Sequence, residues 1–446
     1  MKSQRQLRSD LPRIWAAALR AVDPAAAVRR FVKREGSKLL VDRRCFDLDR
    51  IRRVWALGAG KAVAPMAMAL ERILGDRLAG GLAVTRYGHG LPLRRLELIE
   101  AGHPLPDANS VAAATRMMRM AESEIAPQDL VFWLLSGGGS ALLAAPAPGI
   151  TLEDKLACTR LLLECGATIG EMNAIRKHLS RIKGGQLARR LPGVPVLSLI
   201  LSDVVGDEPD CIASGPMVAD TTTFGDCAEI LHKLQIEELV PGAVRKHLAA
   251  GVSGRIPETP KSGDRIFRRK IHTLVGSNSH ACSAAARAAR RLGYHAQVLS
   301  SRLDGDTCEA AGFHLAIARE IAAENRPLRR PCCLISGGET TVRVTGSGNG
   351  GRNQEFVLHC VRGLASLPAP CVAASLATDG TDGPTDAAGA LADNSTLTRS
   401  LKYGASFLPA CVRDNNSHEF FRRLGDLIVT GPTRTNVMDL HFFLIG

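Results

Sequence analysis

The sequence predicts an α/β protein of two domains, and three observations carry that prediction. Apolar runs too short for a helix, such as residues 54–57 and 130–135, are followed by glycine turns and then by helical periodicity. The same alternation starts again near residue 271, after a stretch rich in Gly, Pro, Ser and Lys. A chain of 446 residues is also long for a single hydrophobic core. We therefore expect an N-terminal domain over residues 1–250, a linker or exposed loop over 251–270 and a C-terminal domain over 271–446.

Composition and charge restrict the functional classes. The net charge of +13 would suit a nucleic-acid or anionic small-molecule partner. The arginines are dispersed without aromatic interleaving, however, so a solvated basic surface explains the charge better and no nucleic-acid partner is expected. The 12 cysteines show no CxxC spacing and mostly lie in apolar segments (Cys158, Cys165, Cys282 and Cys371 among them), which is typical of buried, reduced thiols in a cytoplasmic protein. No apolar run approaches the roughly 20 residues of a membrane span, and the oligomeric state stays open, a homo-oligomer included.

The basic N-terminal segment predicts an amphipathic helix that belongs to the fold. Leu11, Ile14, Ala18 and Val22 fall at helical spacing, and Asp10 interrupts the run of positive charge that a transit peptide would need.

The first glycine turn, residues 58–62 (GAGKA), resembles a nucleotide fingerprint but fails two known ones. Val63 occupies the place of the third glycine in GxGxxG, and Ala62 stands where a P-loop needs Ser or Thr. Gly58 and Gly60 still allow a tight turn after a strand, and both are candidate cofactor-binding residues. Lys61 adds positive charge to a helix N-terminus that is already positive, so we expect an anion nearby.

The second glycine turn predicts a phosphate cradle at the carboxyl end of a strand. Three glycines let the backbone turn at positive φ and present N–H groups to a ligand, and the flanking hydroxyls add donors. The alternative is a tight strand-to-helix turn with no ligand. A later echo of strand followed by Ser-Gly-Gly, at residues 332–338, favours a ligand between two glycine loops. The residues of the predicted cradle are Ser136, Gly137, Gly138, Gly139 and Ser140.

Acidic side chains follow a third predicted strand, residues 194–201. Asp203, Asp207, Glu208 and Asp210 fall within eight residues, more than a turn requires. Carboxylates at this place in an α/β sheet hold Mg²⁺ or act as a general base. A second, weaker group of candidates lies in the Gly-rich loop after residue 377, and consists of Asp379, Asp382 and Asp386.

Basic residues provide two further candidates for anion binding. Arg352 opens a predicted helix after the run GSGNGG, where its guanidinium could clamp an anion. A helix starting near Thr168 carries Arg176 and Lys177 and is followed by Lys183. Such a face is usually solvated, but beside a glycine cradle it could also line an anion site.

Taken together, these motifs resemble the class II glycerate kinase (glycerate 2-kinase) family. The matching N-terminal segments are GAGKA (58–62), LLSGGGSALLAAP (134–146), ATIGEMNAIRKHLSRIKGGQLA (167–188) and LSDVVGDEPDCIASGP (201–216). The C-terminal part resembles the family's MOFRL domain through SGGETTV (336–342), GNGGRNQE (348–355), ATDGTDGPTDAAGA (377–390) and TGPTRTNVMDL (430–440). The resemblance runs in order over nearly the whole chain.

The resemblance implies a Rossmann-like N-terminal domain, a smaller α/β C-terminal domain and an active site in the cleft between them. It implies phosphorylation of D-glycerate to 2-phosphoglycerate with ATP and Mg²⁺. Lys61 and Arg352 match the two basic residues of the family's cleft, and we expect them to be catalytic and to bind substrate together with Asn353. Asp203 is expected to be catalytic or, with Asp207, to bind Mg²⁺.

Two other functions compete with this interpretation. A hydroxypyruvate reductase needs a nicotinamide site, which the failed GxGxxG at Gly58 disfavours. A nucleotide- or RNA-binding protein would bind in a strongly salt-dependent way, and this function leaves the carboxylate loops unexplained.

Overall fold

The computed structural model describes residues 2–446 and divides into two compact units. The N-terminal unit is Pro24–Val275, and the C-terminal unit joins Gly276–Gly446 to the residues up to Asp23. This division differs from the predicted boundaries in two places. The first helix belongs to the C-terminal unit, and residues 251–270 lie inside the N-terminal unit instead of linking two domains.

The elements of the described chain are numbered in order. The strands are β1 Val32–Glu35, β2 Lys38–Val41, β3 Arg44–Asp47, β4 Val54–Ala59, β5 Leu78–Arg86, β6 Glu97–Ala101, β7 Leu130–Ser136, β8 Val196–Leu201, β9 Lys270–Gly276, β10 His295–Leu303, β11 Cys332–Gly338, β12 Cys371–Ala377, β13 Gly389–Asp393, β14 Leu427–Ile428 and β15 Asp439–Ile445. The α-helices are α1 Gln4–Ala21, α2 Pro24–Phe31, α3 Val63–Leu74, α4 Ala108–Ser123, α5 Gly139–Leu142, α6 Leu152–Glu164, α7 Ile169–His178, α8 Gln186–Arg189, α9 Phe224–Lys233, α10 Gly242–Val252, α11 Asn278–Arg291, α12 Thr307–Glu324, α13 Arg352–Ala365, α14 Thr396–Ser400, α15 Phe407–Arg413 and α16 Ser417–Leu424.

The N-terminal unit is built on a six-stranded sheet with the order β6-β5-β4-β7-β8-β9. Strands β6, β5, β4, β7 and β8 pair in parallel, and β4, β7 and β8 are buried throughout. Continuous burial is what helices on both faces of a parallel sheet impose, and it explains the uninterrupted apolar runs in the sequence. Since parallel strands end at one edge, the turns after β4, β7 and β8 lie at the same edge of the sheet.

The strand β9 corrects one expectation. The sequence predicts that residue 271 begins the second domain, but β9 forms the last strand of the first sheet, beside β8. Ser198 Oγ and His272 Nδ1 lie 2.9 Å apart across this pair. The stretch before β9 is tied to the same unit, since Thr259 Oγ1 donates to Asp220 Oδ2 at 3.0 Å. Long-range contacts of this kind leave no local sequence signal.

The C-terminal unit contains a mixed sheet with the order β10-β11-β15-β12-β13-β14. Strand β15 runs antiparallel between β11 and β12, which sets Asp439 opposite Gly338 and Ala377. The start of β15 therefore lies where β11 and β12 end. Beyond β11, Thr341 forms an isolated bridge with Asp306.

Helix α1 packs in the C-terminal unit, mainly against α11. Its apolar stripe of Leu11, Ile14 and Ala18 is fully buried, as the amphipathic pattern predicts. Asp10, on the same helix, accepts a hydrogen bond from Tyr294 Oη at 2.9 Å. The helix is thus an integral part of the core.

Two further expectations can be compared with the residues 2–446 that the structure describes. No helix among them is long and apolar enough to cross a membrane. All twelve cysteines are unpaired, and Cys158, Cys282 and Cys371 are buried, but Cys165 is exposed. Cys165 follows the last turn of α6 as its C-cap, so its apolar sequence neighbours do not bury it.

Candidate active site

The turns after β4 and β7 are locked together at the sheet edge. The backbone N–H of Ala62 donates to Ser136 Oγ at 2.9 Å, and the backbone N–H of Lys61 donates to the carbonyl of Gly137 at 2.8 Å. Gly60 has φ of +142°, and a Cβ on it would lie 2.1 Å from Ser136 Oγ. Only glycine fits this approach, so the two predicted glycine turns form one structure.

The glycine loop turns sharply at Gly138, where φ is +83° before the short helix α5. A Cβ at Gly138 would lie 2.9 Å from the His103 ring and 3.2 Å from Lys61 Cγ. Lys61 and His103 therefore converge on this loop. The approach of Lys61 to the glycine loop follows from the parallel pairing of β4 and β7, whereas no sequence pattern predicts the approach of His103 from the loop before α4.

Gly58 serves the packing of two strands. It lies buried inside β4, and a Cβ there would come within 2.6 Å of the Leu134 carbonyl. Gly58 therefore allows β4 and β7 to pack closely. Its cofactor-binding role stays a prediction.

Ser140, at the end of the glycine loop, is held by a buried network. Lys183 Nζ donates to the Ser140 carbonyl at 2.8 Å and to Ser140 Oγ at 3.0 Å. Ser140 Oγ lies 3.0 Å from Ser214 Oγ, which in turn donates to Asn173 Oδ1 at 3.1 Å. The sequence left open whether this charged face is solvated or lines an anion site, and no pattern in it indicates that Lys183 is buried beneath the loop.

The acidic loop after β8 lies at the same edge of the sheet. Asp203 and Asp207 are half-buried, and Asp207 adopts a positive φ of 61°. Asp207 Oδ1 is buried without a hydrogen-bond partner in the described chain. Lys177 Nζ anchors the end of the loop by contacting Asp210 Oδ2 at 3.2 Å and Asp220 Oδ1 at 3.3 Å.

The described residues contain no group of three or more His, Cys, Asp or Glu side chains placed to hold a metal. Mg²⁺ commonly uses only one or two carboxylates together with substrate phosphates, so the unpartnered Asp207 oxygen fits such a ligand.

Arg352 begins α13 and is held by two acids. Its Nε and Nη2 donate to Asp439 at 2.5 and 3.2 Å, and its Nη1 donates to Glu339 at 2.7 Å. Burial opposes the charge, but Asp439 and Glu339 outweigh it and raise the pKa of the Arg352 guanidinium well above its ordinary value. These three bonds use three of the five N–H groups of an arginine. The other two remain for a ligand, and about a third of the side chain is exposed.

Asp382 caps the first turn of α13. The backbone N–H of Asn353 and its Nδ2 donate to Asp382 Oδ1 at 3.0 and 3.1 Å, and Gln354 donates to Asp382 Oδ2 at 2.9 Å. Asn353 is fully buried, and its Oδ1 accepts a bond from Ser375 Oγ. The substrate contact of Asn353 and the weaker metal assignment of Asp382 stay predictions, and the structure gives both residues a role in the start of this helix. Asp379, the other weak metal candidate, accepts a bond from the backbone N–H of Thr381 at 3.0 Å.

The second Ser-Gly-Gly does not form a loop. Ser336, Gly337 and Gly338 are the last residues of β11 and are buried. A Cβ on Gly337 would lie 1.9 Å from Asn278 Oδ1, and one on Gly338 would lie 2.0 Å from the Leu303 carbonyl. These glycines accommodate neighbouring atoms, which corrects the expectation of a second cradle.

Glu355, one turn into α13, is a buried carboxyl group with an unusual titration. Neither carboxylate oxygen meets the geometry of a full hydrogen bond within residues 2–446, although Ser417 lies close enough to stabilise the charged form weakly, and His359 Nε2 is 3.7 Å away. Burial, assisted by the charge of Asp382, raises the pKa of Glu355 from 4.5 to about 7. The folded protein therefore keeps a proton that the unfolded chain releases between these two pH values, and its stability falls as pH rises through that window.

We expect Glu355→Gln to raise the free energy of unfolding by about 1–3 kcal/mol above pH 7, since each pKa unit is worth about 1.4 kcal/mol. Below pH 4.5 the carboxyl is protonated in both states, and the gain should disappear. Urea unfolding across this pH range measures the effect. Glu324→Gln, at an exposed site ending α12, is the matched control. A gain that is independent of pH would refute this assignment.

Comparisons with known proteins identify the family of this chain. A family model described as a domain of unknown function, DUF4147, matches residues 10–249, and the MOFRL family model matches residues 332–439. A curated glycerate 2-kinase from Pyrococcus horikoshii is 43% identical over 97% of this chain and 96% of its own length. The chain belongs to the glycerate 2-kinase family. The MOFRL match spans Glu339, Arg352, Asp382 and Asp439, the residues around the start of α13.

Relatives in this glycerate 2-kinase family include a solved structure. The crystal structure of a glycerate kinase from Thermotoga maritima matches with a TM-score of 0.86 at 36% identity, covering 99% of this chain and 100% of that chain. The predicted α/β class with two domains is confirmed. Another relative, from Agrobacterium vitis, is 40% identical over 98% of this chain and 94% of its own, and bears hydroxypyruvate reductase in its name.

Proposed function

We propose that the protein is a glycerate 2-kinase that transfers the γ-phosphoryl group of ATP to the C2 hydroxyl of D-glycerate in the presence of Mg²⁺, giving 2-phosphoglycerate and ADP. The observation that carries the proposal is the joining of Lys61 to the glycine loop, through Lys61 N–H and the Gly137 carbonyl at 2.8 Å. This arrangement supports a phosphate site in a chain whose relatives are named glycerate kinases.

The proposed reaction requires positioning and charge neutralisation more than covalent chemistry by the protein. The backbone of residues 137–140 would hold ATP phosphates. Lys61 and the two remaining N–H groups of Arg352 would pair with the γ-phosphoryl group and the glycerate carboxylate. This division of roles requires both side chains to face one substrate.

The acidic loop would supply the carboxylates of the reaction. Asp203 or Asp207 would accept the proton of the C2 hydroxyl as its oxygen attacks the γ-phosphorus and the bond to the ADP oxygen breaks. The other carboxylate would bind Mg²⁺, a role that the unpartnered Asp207 Oδ1 supports. When bound, Mg²⁺ neutralises charge on the phosphate oxygens.

The test is turnover of D-glycerate with ATP, followed as ADP release and by ³¹P NMR of the product. We expect 2-phosphoglycerate, no activity with EDTA and recovery with added Mg²⁺. NADH with hydroxypyruvate serves as the parallel assay for the reductase named among the relatives, and should give no NADH oxidation. Absence of ADP release at every Mg²⁺ concentration, or oxidation of NADH, would overturn the proposal.

A further inference from the structure

A cavity of about 410 Å³ lies beside the glycine loop in the N-terminal unit. Gly138 and Ser140 form one wall, and helices α6 and α7 contribute Lys155 and Arg176. Lys183, which holds Ser140 from below, completes the lining. We call this cavity, with its three cations Lys155, Arg176 and Lys183, the basic pocket.

The cations of the basic pocket have no compensating acid. No carboxylate lines the cavity. Lys155 is only 8% exposed, and within residues 2–446 neither the Lys155 ammonium nor the Arg176 guanidinium has a hydrogen bond or an ion pair. Lys183 donates only to the two oxygens of Ser140 and, at 3.5 Å, to the Ala213 carbonyl.

Burial and mutual repulsion disfavour the charged forms of these side chains. Burial, together with the neighbouring Arg176, lowers the pKa of Lys155 to about 8, and burial lowers the pKa of Lys183 well below its ordinary value. Uncompensated buried charge is costly, and an apolar side chain of similar size would stabilise the fold better. The arrangement therefore indicates a ligand that brings negative charge.

We propose that the basic pocket binds the polyphosphate chain of the phosphoryl donor. The proposal rests on the kinase function proposed above. Three convergent cations match a chain of phosphates better than the single carboxylate of glycerate, and the cavity is within the volume range of small-molecule sites. Gly138 and Ser140 of the predicted cradle also line the pocket. Phosphates bound at the glycine loop would therefore lie next to the three cations. Lys183 has a second role as a positioning residue, because it fixes Ser140.

The decisive variants remove one charge and keep the volume. Lys155→Met and Arg176→Met take cations from the pocket, and Arg160→Met is the matched control, since Arg160 lies on the exposed face of the same helix α6. Calorimetric titrations use inorganic tripolyphosphate, ATP and D-glycerate as separate ligands. A charge-assisted contact corresponds to a change of about 10- to 100-fold in affinity. We expect the two pocket variants to lose that much affinity for tripolyphosphate and ATP and to keep wild-type affinity for D-glycerate.

Thermal melting of the same preparations separates ligand binding from stability. Removal of an unpaired buried charge should leave the melting temperature of Lys155→Met unchanged or higher. A lower melting temperature with unchanged ATP affinity would overturn the proposal. So would loss of D-glycerate affinity in place of ATP affinity, or tripolyphosphate binding that ATP does not displace. These results on the variants test the pocket proposal. The kinase function itself would fail if the wild-type protein neither bound ATP nor released ADP.

Discussion

Replacement of Arg352 by alanine is expected to reduce kcat/KM for D-glycerate by at least about 100-fold, the size of effect seen for one charge-stabilising group. It is also expected to destabilise the fold. Asp439 is fully buried and would lose both bonds to the guanidinium. Leaving a buried carboxylate unpaired costs about 3 kcal/mol, at the lower end of the usual range because the arginine side chain is partly exposed.

Two further variants separate the two effects of Arg352. Arg352→Lys keeps the charge and should recover part of the stability, but a single ammonium cannot reproduce the fork to Asp439 together with the bond to Glu339, so activity should stay low. Arg362→Ala, at an exposed position on the same helix α13, controls for loss of an arginine. If Arg352 pairs with the transferring group, kcat falls; if it pairs with the carboxylate, the glycerate KM rises. Near-wild-type turnover by Arg352→Ala would limit this residue to a structural role.

Replacement of Lys61 by alanine should also lower kcat/KM by at least about 100-fold. The bond that joins the two turns uses the Lys61 backbone, which alanine retains. The side chain lies beside Gly138 at the proposed phosphate site, so its loss removes charge where the phosphates would lie. Steady-state kinetics and melting temperature, measured together, test the prediction. Arg72→Ala, at the exposed end of α3, is the control, and unchanged kinetics in Lys61→Ala would remove it from the mechanism.

Several parts of the fold and candidate site follow from local sequence patterns. The runs before Gly58 and Ser136 form β4 and β7, and Lys61 and Arg352 stand beside the starts of helices α3 and α13. These predictions succeed because an apolar run, a glycine turn and a helical period are each encoded within a few neighbouring residues. Parallel pairing then places the two turns at one edge.

The features that local patterns did not predict depended on residues far apart in the chain. The position of Asn353 beside Arg352 suggests a ligand-binding residue. Its side chain donates a hydrogen bond to Asp382, 29 residues away, at the start of α13. The second Ser-Gly-Gly repeats the first in sequence, yet its glycines accommodate Asn278 and the neighbouring strand. The same residue types thus serve packing in one unit and line a candidate ligand site in the other.

The sequence by itself determined the α/β class, the family resemblance, the order of the glycine turns and the positions of Lys61 and Arg352. Tertiary structure alone decided that β9 closes the first sheet, that α1 belongs to the C-terminal unit and that Lys155, Arg176 and Lys183 surround one cavity. The physical reason is that a backbone turn is dictated by its own residues, whereas the burial of a charge depends on what packs around it. From sequence alone, a lysine on a helix face is expected to be solvated, and only the tertiary structure shows that other elements bury it.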